Sequence, residues 1–279
     1  MALTRDEVFG RLRNEIQEGR AIFDALCGTG ITAKMAARGG ADMVTTHILA
    51  HFRMQGLSSM AGYLCIGDAN TITLELGERS IISAVGDCPV MAGVLGVDPT
   101  RNMNTFIHQL VAAGYDGIMC CPTVALIDGK FREDLEDAGM GFAREVEILR
   151  YASSHGVFTK AFCTSQDEAL AMAEAGVDNI IIHFGNSSGG TIGSKSVLDF
   201  ETSLQKTQSI CDGLASDFPE TIITVHGGGI EAPQDFKSLL DREPRLHGYV
   251  GGSSAERFPI EDSVPKAAQA FKAIALQRS

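Results

Sequence analysis

The sequence predicts an α/β fold: a single (β/α)8 barrel with one extra helix at its N-terminus. Three observations carry this reading. Eight short apolar runs recur along the chain, segments of helical periodicity separate them, and glycines cluster just after the ends of these runs and segments. Strands of a parallel sheet are covered on both faces, so they read as nearly continuous runs of Ile, Val and similar residues. Crossover helices must connect such strands, and eight units in succession favour a closed barrel over an open sheet.

The extra helix comes first, a charged segment from Thr4 to Glu18. The predicted strands are Ala21 to Cys27, Met43 to Leu49, Val90 to Val97, Gly117 to Cys121, Phe158 to Cys163, Asn179 to Phe184, Thr221 to His226 and Leu246 to Val250. Between and after them the periodicity predicts helices over Thr32 to Arg38, Asn70 to Ala84, Asn102 to Ala113, Glu133 to His155, Gln166 to Ala175, Phe200 to Ser216, Pro233 to Arg242 and Glu261 to Leu276. Gly114, Gly156 and Gly176 each fall just past a helical run, where a left-handed cap favours glycine. Barrels of this kind reach roughly 250 residues around one core, so residues 1–279 are expected to form one domain. The connection from Ala50 to Asp68 is long for a strand-to-helix turn and is expected to be an active-site lid.

Apolar residues make up 44% of the chain and charged residues 21%, with no apolar run long enough for a membrane span and no charged-then-apolar leader. A cytoplasmic protein without membrane association is expected. The net charge of -12 and the scattered basic residues disfavour nucleic acid as a partner but leave room for a local pocket holding a small anionic substrate. The seven cysteines are odd in number and form no C-x-x-C pair, which fits reduced thiols rather than a disulfide framework or a zinc ribbon.

In such a barrel the chemistry sits on the loops that follow the strands. Strand one leads into Gly28 and Thr29, strand two holds Thr45, Thr46 and His47, strand three leads to Asp98, and strand four to Thr123. His183 and His226 end strands six and seven, where an imidazole can serve as acid, base or metal ligand. Gly227 and Gly228, with Gly251, Gly252, Ser253 and Ser254, form the loops after strands seven and eight, and are expected to offer backbone N–H groups to an anion, with Arg257 close behind. Each assignment has a plainer counterpart. The glycine loops can be tight turns, Asp98 before Pro99 an ordinary turn start, Arg257 a surface ion pair with Glu256, and the strand-end cysteines packing groups. Lys160 is the one lysine within a predicted strand; facing inward it offers a Schiff-base amine, but alternation leaves its facing open.

Dispersed motifs add a resemblance. Gly28-Thr29-Gly30, Phe52-Arg53-Met54, Gly67-Asp68-Ala69-Asn70, Asp98-Pro99, Pro122-Thr123-Val124, Gly139-Met140-Gly141, Gly189-Gly190, His226-Gly227-Gly228 and Ser253-Ser254 with Glu256-Arg257 run over nearly the whole chain. This pattern resembles the phosphoenolpyruvate-hydrolase-like TIM-barrel family, found also as the C-terminal part of a plant tobamovirus-resistance protein. The resemblance implies a lyase or hydrolase that cleaves a C–C or C–P bond beside a carbonyl in a small oxo acid, through an enolate-type intermediate. It implies His183 or His226 for proton transfer, with Asp98 as a further catalytic candidate. Arg53 and Asp68 would close over an anion held by the Gly227 and Gly252 loops, with Asn70 nearby. Mg2+ or another divalent metal and a homo-oligomer are expected on the same ground, with no metal ligand assigned. The alternatives are a noncatalytic ligand- or protein-binding barrel, as the plant member suggests, or a phosphosugar isomerase or aldolase. Cys120-Cys121, Thr46-His47, Asn186-Ser187-Ser188 and Lys160 depart from the family's usual residues near the mouth.

Overall fold

The computed structural model describes residues 2–276. Eight parallel strands close into a barrel in sequence order: β1 (Ile22–Leu26), β2 (Met43–Thr46), β3 (Val90–Val94), β4 (Gly117–Cys120), β5 (Phe158–Cys163), β6 (Asn179–His183), β7 (Ile222–His226) and β8 (Gly248–Gly251). Seven of the eight predicted apolar runs contain their strand, and β8 extends one residue past the eighth, to Gly251. The helices are α1 (Arg5–Gln17), α2 (Gly30–Arg38), α3 (Ile48–Met54), α4 (Ala69–Leu76), α5 (Met103–Ala113), α6 (Gly129–Asp137), α7 (Phe142–Ser154), α8 (Gln166–Glu174), α9 (Phe200–Leu214), α10 (Pro233–Arg242) and α11 (Arg257–Lys272). No described helix is long and apolar enough to cross a membrane.

Alternation along the strands sorts the barrel interior into layers. At the N-terminal end Ile22, Met43, Met91, Phe158 and Ile222 pack against Val8 and Leu12 of α1, which plugs that opening. Thr4 starts α1 with a capping box, its side chain accepting from the N–H of Glu7 while Glu7 accepts from the N–H of Thr4. Above this floor lies a polar layer. Lys160 turns inward, is fully buried, and pairs with Asp24 while donating to Thr45 Oγ1 at 2.6 Å. Asn179 donates to Thr224 Oγ1 at 3.1 Å in the same region. Leu26, Met119, Phe162, Ile181 and Val250 then form an apolar layer beneath the mouth, continuous with Ile48, Leu49 and Phe52 of α3.

Three expectations about segments are corrected. The predicted lid from Ala50 to Asp68 is largely built into the body: β2 stops at Thr46, α3 starts at once, and a short 3-10 helix spans Ser59–Tyr63. His47 makes that early switch, because its Nδ1 accepts the N–H of Ala50 at 3.1 Å and so caps α3. The long connection without regular structure is instead residues 184–199, after β6. The helix predicted from Glu133 to His155 is two helices, α6 and α7, broken around Gly139, whose φ of 70° ends the first. The last helix starts four residues earlier than predicted, at Arg257, and from Asp262 through Leu276 every residue is exposed.

Candidate active site

A cleft of about 220 Å3 opens at the C-terminal mouth. Leu26, His47, Cys121, His226 and Gly252 line its base, and the segments around Ser58, Ser187 and Ser194 line its sides. Arg53 and Arg257 bring guanidinium groups to the wall, and no Asp or Glu lines it.

The hydrogen bonds fix the protonation pattern of the histidines. His47 Nδ1 accepts from Ala50, so in the neutral ring Nε2 carries the proton; that atom is buried and has no partner. His226 Nδ1 lies 2.7 Å from the carbonyl oxygen of Val250, which only accepts, so Nδ1 donates and the lone pair is on Nε2. Burial is the largest cause holding His47 well below the usual imidazole range, aided by nearby Arg53, and it lowers His226 to about 4. Both rings are therefore neutral near pH 7, one with Nε2–H as a donor and the other with Nε2 as an acceptor. A methyl group added at Gly252 would lie 3.2 Å from His226 Cε1 and 3.5 Å from Arg53 Nη1. Glycine at this position keeps open the space between the imidazole and the guanidinium.

Arg53 is only 5% exposed. It sits on α3 rather than on a lid, donates through Nη2 to Leu26 O at 2.6 Å, and pairs with the buried Glu256 at 2.7 Å. Glu256 also accepts the N–H of Gly28 at 2.6 Å and the hydroxyl of Thr32 at 2.5 Å, so three residues converge on one carboxylate. Arg257 donates to Gly189 O at 2.8 Å and pairs with Glu261 at 3.0 Å, and its Nε is buried with no partner.

The other sequence candidates divide. His183 is in register with His226, its ring 4.8 Å away, but its Nδ1 accepts from Gly185 at 2.9 Å and it does not line the cleft. Phe162 packs edge-on against His183 at 4.7 Å and tilted against His226 at 5.2 Å, which fixes both rings. Gly252 and Ser253 reach the cleft, whereas Gly227 and Gly228 do not. The predicted convergence of the two glycine loops is thus corrected: Gly228 donates to Gly185 O at 3.0 Å, and Gly227 has φ 80° with its missing Cβ only 2.0 Å from that same oxygen. Their glycines serve a close backbone crossing. Gly251 remains in β8, and Ser254 Oγ is 3.1 Å from the hydroxyl of Tyr249, away from the cleft.

Asp98 accepts from Thr100 at 2.8 Å and Asn70 at 2.9 Å and pairs with Arg101 at 3.1 Å, the turn start that its proline suggested. Asp68 caps α4 and pairs with Arg101, so neither it nor Asn70, which brackets Leu95, reaches the cleft. Thr29 caps α2, and Thr123 donates to Glu145 at 2.7 Å. Lys160 lies below the Leu26 layer and outside the cleft lining, which removes the Schiff-base reading. Burial raises the Cys121 thiol to about 12, so the cysteine that lines the cleft stays protonated. Sequence reasoning placed His47 at the end of strand two but gave it no role in the site. Its signal was an imidazole three residues before the first free helical N–H.

The expected Mg2+ can be tested on this donor set. Mg2+ is held through carboxylates, phosphates and water at close octahedral range, and the cleft offers imidazoles, hydroxyls, a protonated thiol and two cations. Among the described residues no group of three His, Cys, Asp or Glu is placed to hold a metal. The residues do not fit Mg2+, and none is assigned.

Comparison with known proteins supports the fold and gives the family. The family described as "Phosphoenolpyruvate hydrolase-like" matches residues 7–274. The ToMV resistance protein Tm-1(GCR237) of Solanum lycopersicum is 38% identical over 98% of this chain, which spans 36% of that protein's length. Among solved structures, 2,3-dimethylmalate lyase aligns with a TM-score of 0.64 at 15% identity, over 99% of this chain and 92% of that one. Phosphonopyruvate hydrolase in complex with oxalate and Mg++ aligns with a TM-score of 0.62 at 16% identity, over 95% of this chain and 87% of that one. This chain belongs to the phosphoenolpyruvate hydrolase-like family.

Proposed function

We propose that the cleft binds a small oxo acid and that the chain is a lyase or hydrolase cleaving the bond beside the carbonyl through an enolate-type intermediate. The observation that supports this most is a cleft with two guanidinium groups and a buried, unpartnered imidazole N–H but no carboxylate in its wall. Such a wall favours an anion. At about 220 Å3 it is smaller than pockets for drug-sized molecules, which suits an acid of a few carbons. The substrate carboxylate would rest between Arg53 Nη1 and the Gly252-Ser253 backbone. His47 Nε2–H would donate to the carbonyl oxygen, where negative charge grows as the enolate forms. His226 Nε2 would accept a proton from the reacting group and return it to the enolate carbon after cleavage. Phosphosugar chemistry is disfavoured, because the Gly227 loop is turned away from the cleft.

The test is NMR-monitored incubation with a panel of 2-oxo acids, phosphonates of oxo acids and substituted malates, in EDTA and in Mg2+. Cleavage of at least one compound in EDTA is expected. A panel that binds but never turns over would replace this reading with a noncatalytic binding protein.

A further inference from the structure

Three apolar side chains line the cleft without a part in the anion site at its base: Leu49, Met60 and Ile192. The contacts around them place all three on one wall. Leu49 of α3 packs on the 3-10 helix that carries Met60, since a methyl group added at Gly62 would lie 2.7 Å from Leu49 Cδ1. Asn186 Nδ2 lies 2.9 Å from Met60 Sδ, so the loop after β6 reaches across to the same point. Ile192 belongs to that loop, whose two arms are joined where the N–H of Ser194 donates to Ser187 O at 2.8 Å.

This wall is graded. Leu49 is buried, Ile192 is half-buried, and Met60 is 42% exposed. Apolar surface gains when it leaves water, and a molecule made only of carboxyl groups would leave this wall wet. The donors that fix an acid group, Arg53 and His47, line the cleft on the barrel side, so a chain attached to that group runs outward past Leu49 to Met60. Methionine suits the outer end, because its unbranched side chain moulds itself to irregular apolar groups.

We propose that this wall selects the side chain of the substrate: the oxo acid carries an alkyl group of a few carbons, seated on Leu49, Met60 and Ile192 while the acid group is held at the base. The inference rests on the reading of the cleft as an oxo-acid site and adds which class of oxo acid it takes. Met60 and Ile192 are then specificity-determining residues, contributed by two different loops. Each methylene moved from water onto the wall strengthens binding roughly fourfold, until the chain passes the rim.

The test is calorimetric titration of the full chain in EDTA with oxalate and with straight-chain 2-oxo acids from pyruvate to 2-oxohexanoate. It is run on the wild type, on Met60→Ser with Ile192→Ser, and on Met60→Leu. Oxalate carries no chain and gives the reference affinity within each protein. In the wild type, affinity relative to oxalate should climb roughly fourfold with each of the first methylenes. The serine variant should lose that climb and Met60→Leu should keep it. A wild type that binds oxalate but gains nothing from added methylenes overturns this inference and leaves the anion site standing, whatever the variants do. A climb that survives in the serine variant overturns it too, because the chain then rests elsewhere. Failure of oxalate and of every oxo acid to bind removes the oxo-acid reading itself, and this inference with it.

Discussion

The two ends of the barrel interior are built from the same strands and treat polar groups in opposite ways. At the closed end α1 covers an apolar layer, and just above it the buried charges of Lys160 and Asp24 satisfy one another with Thr45. At the open end Arg53 and Glu256 make a similar pair, yet His47 Nε2 and Arg257 Nε are buried without partners. Buried polar groups are almost always hydrogen-bonded, and exceptions call for an explanation. The contrast separates groups that hold the fold from groups that await a ligand.

The comparison is sharpest where one end is disturbed and the other observed. Lys160→Met should cost about 3–5 kcal/mol, because it leaves Asp24 charged and buried, and Asp24→Leu on the same background should recover most of it. Denaturant unfolding of the single and double variants measures this. An inexpensive Lys160→Met would mean that the polar layer is not structural.

Leu12→Ala removes the plug at the far end and should cost about 2–5 kcal/mol. Ligand affinity at the mouth should not change, as calorimetric titration of the still-folded variant would show. A parallel loss of affinity would mean that the two ends are coupled.

A smaller effect should come from Glu145 on α7, which accepts from Thr123 and Val124 and is raised to about 7 by burial. Its folded value lies above its unfolded one, so between about 4.5 and 7 the native state holds more protons than the unfolded state. This group's contribution therefore falls as pH rises through that window. His226, lowered to about 4, acts in the opposite sense, its contribution rising with pH between about 4 and 6.5. Glu145→Gln should make stability rise more steeply with pH over that range, read from urea midpoints at several pH values. An unchanged profile would contradict the assignment.

The closed end and the strand order were legible because fully buried parallel strands leave an unmistakable run of apolar residues, such as Ile180-Ile181-Ile182. The open end was legible only in part. His226, Arg53, Gly252, Ser253 and Arg257 do come together in the cleft, but His47 was named without a role because the apolar run through Leu49 hid the strand end at Thr46. A lid was inferred for the same reason, the loop length having been counted from the wrong residue. Glycine-rich stretches also mislead: Gly227 and Gly252 look alike in sequence, yet one lets two backbones cross and the other opens space beside an imidazole.

The central claim is that the mouth is an anion site built from this chain's own cations and imidazoles. Calorimetric titration with oxalate in EDTA, on the wild type and on His47→Phe, tests it most directly. Oxalate should bind the wild type without added metal, and His47→Phe should bind roughly 10- to 100-fold more weakly, as expected for a lost hydrogen bond to a charged group. Binding that appears only with Mg2+, or equal affinity in the two proteins, would contradict the account.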